Sequence, residues 1–198
     1  MSDTGWINPG TMASDDTVGT VAWSNPDNAK TSNDSRSISA TADGPPDPTT
    51  ILDYYAKIVK SDGSIGTTNK AIGTELDSSD TYRTYGSSTE KWGETWSNTD
   101  VNDSDFGFVF SAEMSLSEGG GSYTEYLKAT NFSFSVPTGA TIDGIEVRVE
   151  QQGEYGMLNV PFHRGEARVD HIQIKVYYTE GGTPTVGAGY PLPPFKNS

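Results

Sequence analysis

At 198 residues, with 33% hydrophobic and 20% charged side chains, the chain suits one domain of sandwich or barrel size better than two full domains. Its formal charge of −14 opposes a phosphate backbone, and no basic footprint marks a nucleic-acid binder. Cysteine is absent, which removes disulfides and thiolate metal sites, and no apolar run nears the ~20 residues of a membrane-spanning helix.

Residues 1–19 hold Gly, Pro, Ser, Thr and Asp with one tryptophan and are expected to form an N-terminal arm. No basic region followed by an apolar run opens the chain, so synthesis in a cytoplasm without a secretory signal is expected. Thr20–Trp23 and Ser37–Thr41 are weak strand candidates, and 43–50 reads as a polar loop. Trp6-Ile7-Asn8-Pro9 has an echo in Trp23-Ser24-Asn25-Pro26, too closely spaced for a solenoid repeat.

Strand periodicity then dominates. Tyr54, Ala56 and Ile58 alternate with Tyr55, Lys57 and Val59, and Asp62-Gly63 supplies a tight turn before Ile65. Asn98–Asn102 is the best short helical turn. Phe106, Phe108 and Phe110 follow as one face of a strand, and a Gly-Ser loop spans 117–124. Phe132, Phe134 and Val136 alternate with Ser133 and Ser135, which predicts a half-buried strand, and Pro137-Thr138-Gly139 turns the chain into the next one. Ile142 and Ile145 have opposite parity within one apparent strand, and a bulge at Gly144 would restore the pattern through Val147 and Val149. Ile172, Ile174, Val176 and Tyr178 form the inward face of a last, central strand. The sum is an all-β chain with at least eight short strands, a jelly-roll-like antiparallel β-sandwich over 20–180. Residues 181–198, rich in Pro and Gly, form a C-terminal arm. They are either a plain linker or an arm that lays Tyr190, Leu192 and Phe195 into a neighbour's groove.

Little chemistry is visible. No serine sits in a Gly-x-Ser-x-Gly elbow, and neither a phosphate-binding loop nor a dinucleotide fingerprint occurs. His163 lies in the irregular Pro161–Gly165 stretch. His171 adjoins Asp170 at the start of the last strand, where neighbouring side chains should point to opposite faces. With 27 acidic residues, any pair of carboxylates is unspecific. No catalytic residue and no cofactor is therefore assigned, and a non-enzymatic protein is expected.

Two constellations carry competing readings. Asp100, Asn102, Asp103 and Asp105 resemble the start of a calcium loop, yet they lack its glycine and distant glutamate; the other reading is a turn that caps backbone N–H groups. Trp92 and Trp96, four apart around Gly93, suit either a glycan-stacking platform or the core of a thin sandwich.

Several phrases carry a family resemblance: Leu127-Lys128-Ala129-Thr130-Asn131-Phe132, Val136 to Ile145 (VPTGATIDGI), and Val169 to Thr179 (VDHIQIKVYYT). Tyr85 to Thr89 (YGSST), Trp92 to Trp96 (WGETW) and Trp23 to Pro26 (WSNP) join them. Together they resemble a widespread group of tailed-bacteriophage virion proteins, over about residues 20–180. The resemblance implies a structural component of the particle, a head decoration or tail-associated protein. Its partners would be capsid or tail proteins and further copies of itself, with a host-surface glycan as the partner of an adhesion alternative. It implies a final location in the virion and transfers no catalytic residue. The block order departs from the family pattern, because the Leu127–Val149 block follows the Tyr54–Ala112 block here.

Overall fold

The computed structural model describes residues 1–40, 48–116, 121–155 and 165–181. In chain order the strands are β1 (Ser2–Asp3), β2 (Thr11–Asp15), β3 (Ser37–Ala40), β4 (Pro48–Val59), β5 (Thr81–Ser87), β6 (Gly107–Leu116), β7 (Gly121–Tyr123), β8 (Tyr126–Thr130), β9 (Thr141–Tyr155) and β10 (Gly165–Thr179). A short helix α1 (Asn98–Asn102) stands where the sequence predicts a helical turn, and a 3-10 turn covers Pro26–Ala29.

Two antiparallel sheets face each other. The first runs β1-β10-β9-β5, with β3 also on β10; the second runs β2-β8-β6-β4, with β7 also on β6. The first six strands alternate between the sheets, a jelly-roll-like winding, before β6–β8 and then β9–β10 each keep to one sheet. The all-β sandwich is the expected fold.

The core is the set of inward positions that the periodicity marks. Phe106, Phe108 and Phe110 from one sheet meet Ile145, Val147, Val149, Ile172, Ile174 and Val176 from the other, all fully buried. Each such side chain contributes roughly 1.5–3 kcal/mol on leaving water. Val109 is also fully buried, but on the opposite side of its sheet. There it joins Val59 and Tyr126 in a second, smaller cluster.

Bulges set which residues face out. The β9–β10 register slips between Tyr177↔Gly144 and Tyr178↔Ile142, so the extra residue is Asp143, beside the expected Gly144. A Cβ on Gly144 would sit 2.3 Å from the Ser88 carbonyl carbon, so the site accepts only glycine. Further slips were not expected, among them two in the body of the sheets. One falls between Asp53 and Tyr55 in β4, the other between Val169 and His171 in β10.

The expected N-terminal arm is instead built into both sheets. Ser2 and Asp3 pair with Tyr178 and Tyr177, Ile7 bridges Ile174, and Thr11–Asp15 pair with Tyr126–Thr130. The physical reason is edge cover. β10 is long, and β1, Ile7, Lys30 and β3 successively occupy its outer edge. Each residue after the echoed tryptophans forms an antiparallel bridge, Ile7 to Ile174 and Ser24 to Ile38, so the repeat has a structural counterpart.

The predicted Phe132–Val136 strand pairs with nothing. Its burial alternates as predicted, with Phe132, Phe134 and Val136 buried and Ser133 and Ser135 exposed, but Asn131 and Ser133 adopt left-handed backbone. The segment closes one end of the sandwich. Period two reports which face a residue takes, not whether its backbone has a ladder partner.

Candidate functional site

The residues most prepared for recognition or chemistry lie on the outer face of β5, β9 and β10. The slip after Val169 puts Asp170 and His171 on one face, since inward positions switch from Ala167 and Val169 to Ile172 and Ile174. The expectation that they diverge is thereby corrected. The signal was present in the sequence, because Val169 and Ile172 conflict in parity as Ile142 and Ile145 do.

His171, only 6% exposed, is held at both nitrogens. Tyr82 Oη is 2.9 Å from Nδ1, and Asn8 Oδ1 is 3.0 Å from Nε2. An amide oxygen only accepts, so Nε2 carries the proton and Nδ1 accepts from the Tyr82 hydroxyl. Asn8 Oδ1 accepts a second hydrogen bond from Gln173 Nε2 at 2.6 Å, and Gln173 Oε1 accepts from Arg148 Nε at 2.7 Å. Burial first, with Arg148 adding to it, holds the imidazole below its ordinary pKa; Glu150 and the backbone of Lys30 act against this.

Asp170 is buried. Its Oδ2 accepts from the backbone N–H groups of Asn33 and Asp34 at 3.1 and 3.3 Å, whereas Oδ1 is buried without a hydrogen bond. Burial raises its pKa, and Glu150 and Asp80 push the same way. Both side chains are thus occupied in holding passing chain segments to the sheet.

Around them runs an alternating ladder of rings and cations. Arg148 lies 4.5 Å from the ring centres of both Tyr82 and Trp6, and Lys175 lies 4.4 Å from Trp6 and 5.6 Å from Tyr177. Trp6 stands in a Gly-, Pro- and Ser-rich stretch without strand periodicity, so the sequence does not reveal this ladder.

The sequence-predicted residues go elsewhere. Trp92 is 1% exposed and donates its indole N–H to the Ile145 carbonyl at 2.9 Å, with its ring edge-on to Phe108. Trp96 is 8% exposed, donates to the Lys91 carbonyl and packs on Phe106. Neither can serve as a glycan platform, because the thin sandwich uses both rings as core. Among the described residues the exposed large aromatic is Tyr82 on β5, and a half-buried tyrosine cluster lies on the second sheet. There the β4 bulge turns Tyr54 and Tyr55 to one face, and Tyr54 meets Tyr123 at 4.5 Å between ring centres.

The calcium reading is corrected in the same way. Ser97 and Asp100 form a reciprocal N-terminal cap on α1, and Asp100 also accepts from Ser61 Oγ at 3.0 Å. Hydrogen bonding from Ser97 is the leading cause that lowers the Asp100 pKa. Asn102 clasps Val136, accepting its N–H at 2.8 Å and donating to its carbonyl at 2.9 Å. Asp103 accepts from the backbone N–H of Asp105 at 2.8 Å. Asp105 lines an open cavity of about 540 Å³ beside Asp15, Asp16 and Lys128. Among the described residues, no three His, Asp or Glu side chains gather as a metal-binding set. His163, Tyr190, Leu192 and Phe195 lie outside the described residues.

Comparison with protein-family models, with curated proteins and with solved structures finds no match to this chain.

Proposed function

We propose that the chain is a non-enzymatic structural protein of a tailed-phage particle, a capsid decoration or tail-associated component that works by packing against neighbours and copies of itself. The observation that carries this reading is the use made of the buried polar side chains. Asp53, Asp170 and His171 each spend hydrogen bonds on tying chain segments together, and half-buried Asn102 does the same. The phrases that resemble virion proteins also fall on the framework: the turn and bulge into β9, most of β10, and the end of β5 with the Trp92 loop. On this reading the protein is made in the host cytoplasm and ends in the virion. The adhesion alternative loses its Trp92/Trp96 platform to the core.

Particle fractionation tests the proposal. Quantitative mass spectrometry of gradient-purified particles should find the chain in many copies. Absence from particles that carry the other virion proteins would end this reading.

A further inference from the structure

We infer that β5 is a self-association edge, which pairs antiparallel with β5 of a second copy. Of the other edges, β10 is occupied by segments of 1–40, while β2, five residues long, has the 3-10 turn beside it in place of a second ladder. The run 65–76 lies along β4, where Gly66, Lys70 and Leu76 donate their N–H groups to Ile58, Ala56 and Ile51. β5 pairs with β9 on one side, and among the described residues the only backbone hydrogen bond it makes outside that ladder is at its end, where the Ser87 carbonyl accepts from Glu90 N–H. An open row of backbone donors and acceptors is a template for another strand.

Edges kept monomeric usually carry outward charges or proline, and β5 carries neither. Its only charged residue, Arg83, is turned inward; it pairs with Asp53 at 3.1 Å and donates to the carbonyls of Thr74 and Glu75. Tyr82 and Ile72, two exposed large hydrophobics at 41% and 56%, belong to the two segments that Arg83 joins.

The strand also suits itself as partner. A two-fold axis through Thr84 sets Thr84 against Thr84, Arg83 against Tyr85 and Tyr82 against Gly86. No like charges oppose each other despite the net charge of −14. A seven-residue strand is about 24 Å long at ~3.4 Å per residue, so one such pair is small beside a stable dimer interface. Association should be weak between free copies and gain strength when many copies are arrayed.

The inference names the partner of one edge in the assembly proposed above, and its test can fail separately. Sedimentation of the full chain between about 10 μM and 1 mM should show the mass rising from 21.2 kDa toward twice that value, with slowed amide exchange in β5 at the high end. Thr84→Lys places two ammonium groups face to face on the axis and should hold the chain monomeric without lowering its unfolding midpoint. A monomer at the highest concentration overturns the inference. So does a dimer that Thr84→Lys leaves intact, because its contact would lie elsewhere. Neither result bears on whether particles contain the chain.

Discussion

The hydroxyl of Tyr85 on β5 donates a 3.0 Å hydrogen bond to the carboxylate of Asp53 on β4, tying one sheet to the other across the side of the sandwich. Asp53 is fully buried and saturated. It accepts backbone N–H groups from Ile72, Gly73 and Thr74 and pairs with Arg83. Burial first, then the Asp53 charge, pushes the Tyr85 phenol well above its ordinary pKa. Removing the acid should therefore cost more than removing the hydroxyl. Asp53→Ala strands a guanidinium and three N–H groups and should lower stability by about 3–5 kcal/mol. Tyr85→Phe removes one hydrogen bond to a charged group and should cost about 1.5–3 kcal/mol. Urea unfolding measures both, and equal losses would mean that the acid holds only the tyrosine.

Gly144 tests the bulge. Alanine there would push a methyl into the Ser87–Ser88 backbone, at 2.3 Å from the nearest carbon. Gly144→Ala should destabilise by about 2–4 kcal/mol through overpacking that backbone cannot relieve, whereas Gly63→Ala, in open space at φ +78°, should cost only ~1 kcal/mol. A thermal-melt comparison of the two variants decides it.

Gly144 also marks how far the sequence reveals the fold. Its bulge was legible because Ile142 and Ile145 stand close together and disagree in parity. Val169 and Ile172 conflict over the same spacing but with no glycine between them to mark a bulge, and Ile51 and Ala56 conflict over a longer one, so Tyr54/Tyr55 and Asp170/His171 read as lying on opposite faces. The Phe106 strand and α1 were readable because their signals are local. The N-terminal strap was not. Trp6, Asn8 and Thr11 have no periodicity of their own and are fixed by β8, β9 and β10, more than a hundred residues away. Trp92 and Trp96 left two readings open because sequence alone does not say how thick the core is.

The Asn102 clasp separates a turn from a metal loop. Asn102→Ala removes both hydrogen bonds to Val136 and should cost about 2–3 kcal/mol, while Asp100→Ala removes a cap worth about 1 kcal/mol. Millimolar calcium should leave the melting temperature of the parent chain unchanged, since three of the four proposed ligands are committed to protein hydrogen bonds. A calcium-dependent rise that vanishes in Asp100→Ala would restore the metal reading.

Trp6 is the keystone of the ring–cation ladder. Trp6→Ala loses stacking with both Arg148 and Lys175 as well as partial burial, and should cost about 2–3 kcal/mol. The loss should be local in character. Amide exchange should accelerate first at Thr4 and Ile7, which bond to the β10 carbonyls of Val176 and Ile174, while β6 and β9 keep their protection. Uniform acceleration across the core would show that the strap and the sandwich unfold together.

His171 gives the strap a pH dependence with a definite sign. Its imidazole titrates below the ordinary value of about 6.5 when folded, chiefly through burial, so the unfolded chain takes up a proton first as pH falls. Its contribution is complete above that unfolded value and declines as pH drops through it toward the lower folded value. Asp170 acts with the opposite sign: its raised pKa makes the folded chain the better proton acceptor, but only at more acidic pH. Between about pH 8 and 5.5 the imidazole effect is therefore the one to read, and the urea midpoint should fall across that window. His171→Gln starts from a lower midpoint because it loses the Tyr82 contact geometry, and its slope should be flatter than the parent's. The second histidine, His163, is present in both chains, so the difference between their slopes belongs to His171. Identical slopes would mean that the imidazole binds protons equally well in the folded and unfolded chain.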